Sequence, residues 1–123
     1  AFEGHIFTLT NGLTYSAGAS LARYLREYGN AYSVGSETGT RYEGFVAGSA
    51  QAVYLPNSKI KIGIPRYAYV FPETIVNRRA ESNRGMLVDF PVYRTMGDYL
   101  EGTNLEMQKV INIIMVLVST LLK

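Results

Sequence analysis

The sequence predicts an α/β domain, and three observations carry that prediction. A β-favouring apolar segment around Ile6, Phe7 and Leu9 runs into an Asn11-Gly12 turn, and a helical run then starts at Ser16 and continues through Ala17, Ala19, Leu21, Ala22, Tyr24 and Leu25. A second β-favouring segment at 31–34 closes a β-α-β unit, whose two strands must run parallel. Further on, Ile60, Ile62 and Ile64 alternate with Lys59, Lys61 and Gly63, the period of a strand with one buried and one wet face. Strands and helices mix along the whole chain, so α+β is the neighbouring class.

The elements follow in order. Strand one spans 5–10 and the first helix 16–28, stopped by Gly29-Asn30. Strand two spans 31–34. Residues 35–48, rich in Gly, Ser and Thr, read as one long loop of the kind that often serves function. Segments 51–55 and 59–64 pair across a Pro56-Asn57-Ser58 turn. From 66 to 84 there is no clear period, and Pro72 and Asn83 signal turns. A short apolar segment, 86–88, precedes Asp89-Phe90-Pro91, where Asp89 reads as a turn or cap residue. A short helix fits 95–100, and a final helix of about 104–122 is capped by Thr103 or Asn104, with Glu106 in its first turn. There is no internal repeat and no low-complexity segment.

Composition narrows the function classes. With 47% hydrophobic and 18% charged residues, a chain of 123 residues can bury a core and form one domain. A net charge of +2, scattered along the chain, gives no basis for nucleic-acid binding. The absence of cysteine excludes disulfides, thiolate chemistry and cysteine-based zinc sites, and leaves the cell compartment open. One histidine and no converging carboxylates argue against any metal site, and no cofactor motif is present. Gly35-Ser36-Glu37-Thr38-Gly39-Thr40 lacks the Gly-Lys-Ser/Thr end of a phosphate loop. No secretory leader is visible in the opening residues Ala1-Phe2-Glu3-Gly4. The apolar run 110–122 has 13 residues, where a bilayer span takes about 20. It reads as the end of a buried or interface helix, with an exposed, adhesive tail as the alternative. Its all-round hydrophobicity calls for a partner, and a second copy through this helix is the expectation.

The chemistry concentrates at Ser16. A serine that opens a helix after a strand and a tight turn sits where unpaired backbone N–H groups point outward, and those groups can hold a developing negative charge. The competing reading is an N-cap, the commonest role of serine at a helix start. Glu81 could orient a base or nucleophile, or could be a solvated carboxylate beside Arg78, Arg79 and Arg84. His5, eleven residues before Ser16, has nothing local to hold it against the hydroxyl, and a structural role at the strand edge fits it better.

Four motifs in order carry a resemblance. They are Leu9-Thr10-Asn11-Gly12-Leu13-Thr14-Tyr15-Ser16-Ala17-Gly18; Val34-Gly35-Ser36-Glu37-Thr38-Gly39; Tyr54-Leu55-Pro56-Asn57-Ser58 with Lys61-Ile62-Gly63-Ile64-Pro65; and Gly85-Met86-Leu87-Val88-Asp89-Phe90-Pro91-Val92 followed by Asp98-Tyr99-Leu100-Glu101-Gly102-Thr103-Asn104. Over about residues 4–114 the chain resembles the C-terminal half of the catalytic domain of the carboxyl-terminal processing (tail-specific) serine proteases, the family that includes the tricorn core protease. The resemblance implies a β/α fold of the Clp protease/crotonase type, a mixed sheet with flanking helices, and hydrolysis of a polypeptide without metal or cofactor. It also implies an exported or cell-envelope location.

In that frame Ser16 takes the nucleophile's position, the Ala17 N–H is an oxyanion donor, and Glu81 aligns with the family's glutamate, one residue further from Gly85 than in the commonest form. Arg41 stands where dyad members of the family carry lysine. A guanidinium stays protonated and cannot accept the serine's proton. The resemblance therefore implies a histidine base from an upstream segment, which His5 does not match. A second oxyanion donor would also come from upstream. Val88 replaces the family's usual proline before Asp89. The expectation is that these 123 residues alone turn over peptides slowly or not at all. A non-catalytic peptide-binding or assembly module on the same fold is the rival expectation.

Overall fold

The computed structural model describes residues 3–71 and 83–121. The elements are β1 (Phe7–Thr10), α1 (Ser16–Gly29), β2 (Tyr32–Gly35), β3 (Gly44–Tyr54), β4 (Lys61–Val70), β5 (Phe90–Pro91), α2 (Met96–Leu100) and α3 (Leu105–Leu121). The fold is α/β, with two small sheets and flanking helices. The expected parallel pair forms: β1 and β2 align Phe7 with Tyr32 and Thr10 with Gly35, and α1 makes the crossover. The short β5 joins the other edge of β2, also parallel, giving the order β1-β2-β5. Instead of entering one mixed sheet, the antiparallel pair β3–β4 forms a separate two-stranded sheet.

The helix α1 buries Ala19, Ala22 and Arg23, a narrow stripe at three- and four-residue spacing. It ends at Gly29 as expected, and Asn30 is the cap: it takes the left-handed conformation, and its N–H bonds to the Leu25 carbonyl. The core is small and made largely of short side chains, with Val34 and Met86 its most buried larger members. At α2, Thr95 and Asp98 form a reciprocal capping box. Of the two candidate caps for α3, Asn104 serves, its Oδ1 accepting from the Met107 N–H at 3.0 Å.

Three expectations need correction. First, His5 lies outside β1, which starts at Phe7. Second, 35–48 is not all loop, nor is 66–70 irregular: the hairpin extends to a Gly44–Val70 pair at its base. It is extended by the Phe45–Tyr69 ring pair at 5.3 Å and interrupted by a register shift between Ala47 and Ala50. Third, every residue of β4 is exposed, so the isoleucines alternate without a buried side. The last helix leaves Ile111, Met115 and Val116 open, as either an interface helix or an exposed tail would. No helix among the described residues is long and apolar enough to cross a membrane.

Candidate active site

The turn that delivers Ser16 is fixed by two side chains. Asn11 Oδ1 accepts from the Leu13 N–H at 2.8 Å, and Thr14 Oγ1 accepts from the Asn11 N–H at 3.0 Å. Tyr15 follows in extended conformation as the N-cap residue and makes no side-chain cap. Ser16 is then forced to φ +48°, a left-handed conformation rare for a residue with a Cβ and costing ~1–2 kcal/mol. Ser16 is therefore not the cap. It is exposed, and its hydroxyl has no hydrogen-bond partner among the described residues. Its strained backbone is held from outside the helix: the Ser16 N–H donates to Thr40 Oγ1 at 2.7 Å.

The first helical turn leaves one amide open beside that hydroxyl. The Gly18 and Ala19 N–H groups both reach the Tyr15 carbonyl, and Ser16 is taken by Thr40. The Ala17 N–H has no partner among the described residues, so it is the donor available to an anion at the helix mouth.

Thr40 is positioned in turn by a polar chain running back to the 84–86 segment that precedes β5. Thr38 Oγ1 donates to the Thr40 carbonyl at 3.0 Å and accepts from the Met86 N–H at 2.8 Å. One step away, Glu37 accepts from the Gly85 N–H at 2.7 Å and pairs with Arg84. The Arg84 hydrogen bond, helped by the Gly85 N–H and opposed by burial, holds the Glu37 carboxyl below its ordinary value of 4.5. A lowered carboxylate pKa contributes stability that is complete above the unfolded value and is lost as pH falls through the folded one. Urea unfolding midpoints should therefore drop between pH 6 and pH 3, and Glu37→Gln should flatten that drop. An unchanged slope would show that this carboxylate does not tie the loop down.

Beneath the helix, the buried Arg23 guanidinium stacks on the rings of Tyr42 at 4.5 Å and Phe71 at 3.8 Å, and donates to the Tyr42 carbonyl at 2.9 Å. Burial, reinforced by the hydroxyl's bond to Glu27, pushes the Tyr42 phenol up to about 12. Arg23 has no signal in the sequence, and Thr38 and Thr40 stand there only as members of the Gly35–Thr40 loop, which leaves the carboxyl end of a parallel strand, the edge where such folds place ligands.

The other candidates separate from Ser16. His5 packs against Tyr32, ring centres 6.4 Å apart, just before the first residue of β1, while Ser16 lies beyond the last. Arg41 turns its guanidinium to Asn83 and Glu43, and its backbone bridges to Gly85. Glu81 lies outside the described residues. Asp89 is neither turn nor cap. Its carboxylate accepts from the Ser33 N–H and hydroxyl at 2.9 and 2.8 Å and from Arg26 Nη2 at 2.9 Å, clamping β5, β2 and α1 together. Among the described residues, no group of three or more acidic or histidine side chains could hold a metal ion.

Compared with known proteins, the chain matches no family model and no curated protein.

Proposed function

We propose that the chain carries the nucleophile of a serine endopeptidase related to the carboxyl-terminal processing proteases, on a β/α domain of the Clp protease/crotonase type. The observation that supports this most is the geometry of Ser16: a strained, non-glycine backbone at a strand-to-helix junction presents an unbonded hydroxyl next to an open amide. Strain of this kind persists where the surroundings over-determine it, and here Thr40 does so. In the proposed reaction Ser16 Oγ attacks the scissile carbonyl carbon of a polypeptide, and the Ala17 N–H donates to the oxyanion. A histidine from outside these 123 residues takes the hydroxyl proton and returns it to the leaving amine, and Glu81 orients that histidine. Self-association through the open side of α3 belongs to the same reading.

A non-catalytic peptide-binding module is the second reading, favoured by one observation: among the described residues no base faces Ser16. Fluorophosphonate labelling of the full-length protein, mapped by mass spectrometry, separates the two. Labelling at Ser16, abolished in Ser16→Ala and Ser16→Gly, is the expected result. Ser16→Gly should also be more stable than Ser16→Ala by about 1 kcal/mol, because glycine accepts the left-handed backbone. An unlabelled Ser16 sinks the peptidase.

A further inference from the structure

Two open clefts meet at the loop that carries the serine. One, of about 520 Å³, lies between the Gly39–Arg41 turn and the base of the β3–β4 hairpin. The other, of about 960 Å³, lies beyond the carboxyl ends of β1, β2 and β5. Gly39 borders the first and Gly12 the second, and the two glycines are in contact: a Cβ on Gly39 would stand 2.3 Å from the Gly12 carbonyl oxygen. Leu13 also lines the larger cleft. Ser16 follows it by three residues, so their Cα atoms are at most about 11 Å apart. Ser16 itself lines neither cleft: Thr40, which accepts from its N–H, lines the smaller one, and Leu13 the larger.

The larger cleft has a definite chemical character. Tyr93, Tyr99 and Leu13 stand on its rim, 85%, 74% and 79% exposed. Its charges are closed on one another: Arg94 pairs with Glu106 and donates Nη1 to the Thr103 carbonyl at 2.9 Å. Asn11 and Asn104 use their carbonyl oxygens for the local turn and the helix cap, and their amide NH₂ groups have no partner among the described residues. The cleft therefore offers two aromatic faces, two neutral donors and no uncommitted charge.

We propose that this cleft is the subsite that seats the polypeptide on one side of the scissile bond and selects an uncharged aromatic or aliphatic side chain there. The inference rests on the peptidase reading. The asparagine amides meet main-chain carbonyls, and the selected side chain lies against Tyr93 and Tyr99. An acidic or basic side chain loses its hydration and finds no counter-ion to exchange with, because Arg94 and Glu106 already satisfy each other.

Binding tests the subsite without turnover. Fluorescein-labelled unstructured decapeptides, differing at one position as Phe, Leu, Asp or Lys, are titrated against the Ser16→Ala protein by fluorescence anisotropy. The Phe and Leu peptides should bind roughly tenfold more tightly than the Asp and Lys peptides. Tyr93→Ala with Tyr99→Ala should erase that preference, and the Tyr→Phe pair should keep it. Both tyrosines are exposed, so the fold is not at stake. Equal binding of the four peptides, or a preference that survives the alanine pair, overturns the subsite. Absence of fluorophosphonate labelling at Ser16 in the full-length protein overturns the peptidase reading itself, whatever the peptides do.

Discussion

Asp89→Ala should cost ~3–5 kcal/mol of folding stability, against a total of ~5–15 kcal/mol for a domain of this size. The magnitude follows from what the substitution leaves behind. Ser33 is fully buried, and both its N–H and its hydroxyl donate to Asp89 Oδ2. Each donor stranded without an acceptor costs ~1–3 kcal/mol. The Arg26 side chain is only 12% exposed and loses its carboxylate at the same time, keeping its bond to the Leu87 carbonyl. Asp89→Asn keeps one acceptor oxygen and should fall between parent and alanine. Arg26→Met with Asp89→Ala should cost less than the sum of the two single changes, since no charge is then left unpaired. Urea unfolding of these four variants beside the parent measures this. A loss below about 1 kcal/mol for Asp89→Ala would show that water replaces the carboxylate without penalty.

Why Asp89 was misread locally says how much of this fold is legible in sequence. Its neighbours, a phenylalanine and then Pro91, spell a turn. Its partners Ser33 and Arg26 lie 56 and 63 residues away, and no local pattern connects them. By contrast, the β-α-β unit was legible because each signal is local: apolar β-formers, the Asn11-Gly12 turn, the alanine stripe. The hairpin's turn was legible for the same reason, but its length was not. Gly44, Gly48 and Ser49 look like loop, and become strand only because the turn fixes a register that sets Phe45 beside Tyr69. The isoleucine alternation correctly gave a strand. It could not say what covers one face, since a period of two contains no information about a partner. At the site, the sequence placed Ser16 at a helix start but could not decide between cap and exposed hydroxyl. That choice lies in a backbone angle, and the angle is held by a threonine 24 residues away.

The same tie gives the largest expected effect on the site from outside it. Gly39→Ala should slow fluorophosphonate labelling of Ser16 by about a hundredfold while costing only ~1–3 kcal/mol of stability. A Cβ at Gly39 would stand 2.3 Å from both the Gly12 carbonyl oxygen and Tyr15 Cε1. Tyr15 can swing, being more than half exposed, but the Gly12 carbonyl is backbone, so the 36–40 loop must move away from the 11–15 turn. That motion strains the Gly39 N–H bond to the Thr14 carbonyl, and it carries Thr40 Oγ1 off the Ser16 N–H. Released from Thr40, Ser16 relaxes from its left-handed backbone, and the hydroxyl and the Ala17 amide no longer face one bound carbonyl. Thr40→Val removes the acceptor directly and should reproduce the labelling loss. Gly12→Ala is the control: a Cβ there meets nothing within 4 Å, and both stability and labelling should stay at the parental level. Should Gly39→Ala lose stability yet label at the parental rate, the Thr40 contact supports the fold without aiming the nucleophile.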